Sequence, residues 1–225
     1  GLPARYLAWM RDEFTKDWFG DGQDPAAYDH VRAARGAMKS RLPKRFYAEA
    51  IMGPVEQLFG VLLDGKPART RGKALLAGPN ATVGTMLAAE WAAQGEMIDP
   101  STMPLTRIAH AALDHVSGAM DEVRADILKY AASDLVCYRA ADPAALVERQ
   151  ARLWDPVLAH IETRYGARLL LSEGIRFVEQ PPHALAALQP RLEPIAEPLA
   201  LAALHVLTTI SGSALIAIAV ADGLL

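Results

Sequence analysis

Hydrophobic positions after Asn80 return at steps of three and four. Val116, Met120, Val123, Ile127, Tyr130 and Ala131 follow that spacing, with Asp121, Glu122, Arg124, Asp126 and Lys129 between them. The pattern predicts an amphipathic helix with one face in a core. Thr82 to Ala93 holds good helix formers and closes at Gly95. Asp99-Pro100 and Met103-Pro104 bracket a connector, because a residue before proline resists the helical region. Asp142-Pro143 opens another helix through Leu146, Val147 and Leu153. Pro156 is expected to kink or restart it, with Asp155 as the new N-cap, and Gly166 to end it after Tyr165.

Before Asn80 the pattern differs. Arg45 to Met52 and Leu58 to Leu63 are aromatic and aliphatic runs. Asp64-Gly65 is a hairpin signal between Val61-Leu62-Leu63 and the segment Lys66 to Thr70. Lys73 to Ala77 offers a third strand, ended by Gly78-Pro79-Asn80. Arg168 to Leu171 and Ile175 to Val178 are further short strand candidates, stopped by Gln180-Pro181-Pro182, with helix beyond. The expected fold class is α+β: a helical polar lead-in over 1–43, a β-rich antiparallel part over 44–80, and a larger, mostly helical domain over 81–225. Within the lead-in, Asp24 is a suitable N-cap and Pro25 suits a first helical position.

From Pro198 to Ala221 no residue is charged, a length that matches a bilayer crossing. His205, Thr208, Thr209, Ser211, Gly212 and Ser213 interrupt the run, and basic flanks are missing. Buried helix over 199–221, broken near Ser211-Gly212, is therefore expected, not membrane insertion. The start, Gly1-Leu2-Pro3-Ala4-Arg5, does not read as a secretory signal.

Composition narrows the classes. The 225 residues are 52% hydrophobic, enough for a sizeable core. A net charge of -3 gives no basic excess for nucleic acid. The single cysteine, Cys137, excludes an internal disulfide framework and fits a reducing compartment.

Catalytic patterns fail on inspection. Six residues separate Gly65 from Gly72 where a phosphate loop needs four, and Ala74 stands where magnesium needs a hydroxyl. Neither GxGxxG nor GxSxG occurs. His110 and His115 are five apart, too far along a helix to share a metal. Cys137, in an apolar setting, reads as a buried small residue. Asp155 beside Trp154 fits a general acid, but an N-cap for the helix at Pro156 explains the same residue with less. Trp91, beside Glu90, reads as a core or interface anchor. No cofactor and no catalytic group is expected.

The strings Lys44-Arg45-Phe46-Tyr47, Leu63-Asp64-Gly65-Lys66-Pro67, Ala89-Glu90-Trp91-Ala92-Ala93-Gln94, Met103-Pro104-Leu105-Thr106-Arg107, Asp134-Leu135-Val136-Cys137-Tyr138-Arg139 and Trp154-Asp155-Pro156 occur in this order. Ala167-Arg168-Leu169, Gln180-Pro181-Pro182 and Ile210-Ser211-Gly212-Ser213 follow them. The ordered set resembles the assembly chaperone family for the alpha subunit of the F-type ATP synthase head, found in mitochondria and alpha-proteobacteria. The resemblance runs from Lys44 to about Gly223. It implies a β-rich part followed by a helical domain. It also implies a soluble protein that holds the free alpha subunit without ATP hydrolysis until the beta subunit replaces it. A monomer in the bacterial cytoplasm, or in a mitochondrial matrix, is the matching expectation. Glu90, Trp91, Trp154 and Asp155 are the expected partner-binding residues. Two departures stand out: residues 1–43 have no counterpart in the family's usual start, and family members continue past the position of Leu225 into an acidic, Trp-containing segment. A small hydrolase or transferase with a cleft near Trp154 and Asp155, and a generic protein-binding module, are the alternatives.

Overall fold

The computed structural model describes residues 42–174 and 176–225. They form two compact units, divided between His115 and Val116. The expected lead-in, with Asp24 and Pro25, lies outside the described residues except for Leu42 and Pro43.

The first unit opens with β1 (Ala50–Val55) and β2 (Leu58–Leu63), paired antiparallel with Ala50 opposite Leu63 and Val55 opposite Leu58. β3 (Lys66–Pro67) folds back on β2 through the predicted hairpin, with Asp64 at φ 47° and Gly65 at φ 77°. Positive φ at both central residues is the requirement of a two-residue turn that matches strand twist. β4 (Ala77–Gly78) adds to the other part of β2, so the expected third strand over Lys73 to Ala77 narrows to its end, with a single bridge between Arg69 and Leu75. The reason lies in the loop before it: Thr70 accepts from Lys73 N–H and donates its own N–H to Ala74, closing a turn there.

α1 (Ala81–Ala92) crosses the sheet, capped by Asn80 through the Val83 N–H at 3.0 Å. Gly84 allows that contact, because a Cβ there would meet the Phe59 carbonyl oxygen at 2.7 Å. Val61, Leu76 and Leu87 fill the space between. α2 (Pro104–Asp114) packs on α1.

The second unit begins with a short turn at Val116–Gly118 and α3 (Met120–Ala132). The helix predicted from Val116 thus starts later, although Val116, Val123, Ile127 and Ala131 all reach the core. α4 (Ala144–Tyr165) runs unbroken through Pro156 to Gly166, which adopts the left-handed conformation at φ 70°. Asp155 is therefore not an N-cap. Of the expected strands over Arg168 to Leu171 and Ile175 to Val178, only a shifted pair forms. β5 (Tyr138–Arg139) and β6 (Ser172–Glu173) align in parallel. Register is set by Gln180, whose amide occupies the Leu170 N–H at 2.8 Å and its carbonyl at 2.9 Å and so removes Leu170 from any ladder.

α5 (Pro182–Ala186) and α6 (Gln189–Leu192) lead to the uncharged run. That run forms α7 (Pro198–Ser211) and α8 (Ala214–Ala221), broken at Gly212, φ 67°. Leu201, Ala202, Leu204, Leu215, Ala217 and Ile218 are buried, and both helices pack on α3. Among the described residues, no helix is long and apolar enough to cross a membrane. His205 is buried inside the run because its Nε2 meets Asp126 of α3 at 2.9 Å, and that bond holds the Asp126 carboxyl below the usual carboxylate range.

Candidate functional site

In the first unit the family-like strings converge. Arg45 donates from Nη1 to the Gln94 carbonyl at 2.6 Å and lies over the Tyr47 ring at 4.6 Å. Tyr47 donates its hydroxyl to the Trp91 carbonyl at 2.7 Å, and the two rings stand 5.7 Å apart. Glu90, one residue earlier, points at the start of α2. Its two carboxylate oxygens accept the Leu105 and Thr106 N–H groups, each at 2.7 Å. Those donors need an outside partner, because Met103 at the N-cap makes no side-chain bond. A carboxylate at a helix N-terminus also meets the positive end of the helix dipole.

Gln94, one turn on, closes the same connector. Its amide spans Glu90 carbonyl, Thr102 hydroxyl and Asp99 N–H. Asp64 completes the frame by accepting the Ala48 and Glu49 N–H groups beside β1. Four of the strings therefore meet as one bracket built from hydrogen bonds.

Trp91 is half-buried in this bracket. Phe46 is the side chain that faces away from it, 71% exposed and edge-on to Tyr47 at 5.3 Å. Sequence reasoning passed over Phe46. Its signal was the alternation in Lys44-Arg45-Phe46-Tyr47, where the residues on either side turn inward.

The second unit holds the other expected pair. Arg139 donates from Nη2 to Asp155 at 2.7 Å and from Nε to the Val136 carbonyl at 2.8 Å. Its guanidinium stands over the Trp154 ring at 5.4 Å. Trp154 and Asp155 thus clasp Arg139 from one helix. Asp134 anchors the preceding segment: its side chain, fully buried, accepts the Val136 N–H at 3.1 Å and the Leu215 N–H at 3.0 Å. Burial pushes the Asp134 carboxyl up to about 6, and bonds from Ser213 and from backbone N–H groups moderate the rise. Leu135 N–H reaches the Gly212 carbonyl, tying this string to Ile210-Ser211-Gly212-Ser213.

Cys137 is fully buried, and burial together with the nearby Asp134 pushes its thiol up to about 12. A thiol in that state is no nucleophile. At the end of α8, Asp222 gathers Arg191, His160 and Tyr165 at 2.9, 2.8 and 2.5 Å. Burial alone would raise its carboxyl, but these donors outweigh that and hold it low. Phe177, 68% exposed, walls an open groove of about 510 Å³ with Ala132, Glu179, Gln180, Pro182 and Leu185. Sequence reasoning missed it too, because it placed Phe177 in a strand.

These arrangements are scaffolds with exposed apolar side chains at their edges, the marks of a protein-binding class. The model of the ATP12 chaperone protein family matches residues 44–162. The structure is similar to that of the Atu1473 protein of Agrobacterium tumefaciens, described as a putative chaperone, at 41% identity over 98% of this chain and 81% of that one, with a TM-score of 0.78. It is also similar to Atp12 from Paracoccus denitrificans, in wild-type and single-mutant forms, at 38% identity over 81% of this chain and 78% of that one, with a TM-score of 0.74. The chain belongs to the ATP12 chaperone family.

Proposed function

We propose that this protein binds the unassembled alpha subunit of the F-type ATP synthase catalytic head and keeps it soluble for assembly, without catalysis. The observation that carries the reading is the family membership, with 41% identity across 98% of the chain to a solved relative. A lone subunit exposes apolar surface meant for its neighbours, and such surface aggregates. A holder needs reversible apolar contact with a polar rim and modest affinity. Exposed Phe46, Phe177, Leu170 and Leu171 are apolar surface of that kind.

In this reading Trp91 and Trp154 contribute contact from their exposed edges. Glu90 and Asp155 act by fixing the elements beside them. The protein works as a soluble monomer, in a bacterial cytoplasm or a mitochondrial matrix. The hydrolase or transferase alternative loses support, since Asp155 of its cleft is bonded to Arg139 and the chain's one thiol, Cys137, is buried.

Co-expression of the alpha subunit with and without this chain tests the proposal. Soluble alpha subunit, recovered in a complex only when the chain is present, is the expected result. An alpha subunit that stays insoluble, with no complex formed, rejects it.

A further inference from the structure

The first ten residues of α4, Ala144 to Leu153, include none that is buried; the helix's buried positions are Val157 and Ile161. The exposed stretch is nonetheless held firmly. Gln150 accepts the Ala140 N–H at 2.8 Å, and the Arg139–Asp155 bond fixes the helix one turn later. At 100° per residue, Leu146, Arg149 and Leu153 share one stripe, with Arg152 beside it and the two leucines about 10 Å apart along the axis. Leu146 is 42% exposed and Leu153 52%. The ion pairs this helix makes with described residues belong to Asp155, His160, Glu162 and Arg164, so they do not draw on the stripe. Glu148 lies on the side of Arg152 away from the leucines. The stripe thus presents two leucines and two guanidinium groups, and no carboxylate.

We propose that the first three turns of α4 are a docking face of this chaperone, taking an apolar surface of the held subunit that is edged with carboxylates. This rests on the reading given under Proposed function. The charge of the stripe selects the partner's chemistry: Leu146 and Leu153 supply apolar area, while Arg149 and Arg152 pair with acids at its border and reject a basic surface. Arginine suits this place because its stem covers apolar area while its planar head binds a carboxylate through two bonds.

The test uses the full chain and purified alpha subunit. Affinity is measured for wild type, for Leu146→Ser with Leu153→Ser, for Arg149→Glu with Arg152→Glu, and for the two arginines changed to lysine. A photo-crosslinking residue at position 149 in an otherwise unchanged chain gives a second readout that does not depend on the stability of the variants. The serine and glutamate pairs are each expected to weaken binding roughly tenfold or more, with unchanged thermal unfolding. The lysine pair retains binding with a smaller loss, and position 149 crosslinks to the alpha subunit. Wild-type affinity in the serine and glutamate variants, or no crosslink from 149 within a formed complex, overturns this proposal alone. Failure of the wild-type chain to bind overturns the chaperone reading and this face with it.

Discussion

Glu90 separates a scaffold role from a partner-contact role, and its replacement measures the difference. Glu90→Ala removes both acceptors of the Leu105 and Thr106 N–H groups, and nothing at Met103 replaces them. Bonds to a charged acceptor contribute about 1.5–3 kcal/mol each, but truncating a helix cap costs only about 0.5–2 kcal/mol, because water reaches the freed donors. The side chain is half-buried, so the cap figure is the better guide, with about 0.3–1 kcal/mol added for the lost dipole interaction. The expected loss is about 1–3 kcal/mol for Glu90→Ala. Glu90→Gln retains one acceptor oxygen and loses the charge, which points to about 1 kcal/mol. In a chain of this size these convert to a fall of about 2–12 °C and about 2–4 °C in the unfolding midpoint. Thermal unfolding followed by circular dichroism reads both. An unchanged midpoint in Glu90→Ala, with alpha-subunit binding lost, would refute the capping argument and make this carboxylate a contact residue.

Other expectations follow from the same geometry. Asp134, raised from 3.8 to about 6, contributes stability that is present below pH 3.8 and lost as pH rises through 6, about 3 kcal/mol in all. His110, lowered mainly by burial, acts in the opposite direction, so the quantity to measure is the difference in urea stability between wild type and Asp134→Asn at pH 4, 5, 6 and 7. A difference that does not change with pH would contradict the burial account. The Cys137 thiol should stay unreactive toward a disulfide reagent at pH 8 in the native protein and react on unfolding; fast labelling of the native form would refute its burial. Gly84→Ala gains about 1 kcal/mol of helix propensity but forces α1 off the Phe59 backbone, at a cost of about 1–3 kcal/mol. A net loss of stability in urea unfolding is expected, and a stabilised variant would show that the helix has room to move.

The legible parts of the chain were those where local chemistry and burial agree. The Asp64-Gly65 turn, the helix end at Gly166 and the break at Gly212 each need a backbone conformation that glycine supplies without strain. The uncharged run read as core because its polar interruptions require internal partners, and His205 has one in Asp126. The turn at Glu56-Gln57 between β1 and β2 was not legible: Glu56 takes φ 56° without a residue type that announces it. Pro156 misled in the other direction, since α4 continues past it. Glu90, Asp134 and Gln180 were opaque for a different reason. Glu90 and Gln180 reach backbone groups 10 to 16 residues away and Asp134 reaches one 81 residues away, and no periodicity links the two ends of such a bond; only the Asp134 bond to the Val136 N–H is local.

That distance also explains what the family resemblance rests on. Arg45, Tyr47, Asp64, Glu90, Gln94, Asp134, Arg139 and Gln180 all lie in the strings that carry it, and every one of them spends its polar atoms inside its own unit. A side chain committed to two or three internal bonds has little left to offer a partner, and replacing it changes the frame before it changes an interface. The polar residues of the strings therefore report a scaffold. Contact surface has to be sought where side chains are exposed and uncommitted: at Phe46, whose neighbours face inward, at Phe177 beside its groove, and along the Leu146–Arg149–Leu153 stripe. The stripe lies outside every one of those strings, between Arg139 and Trp154, and a search for function among the strings alone would pass over it.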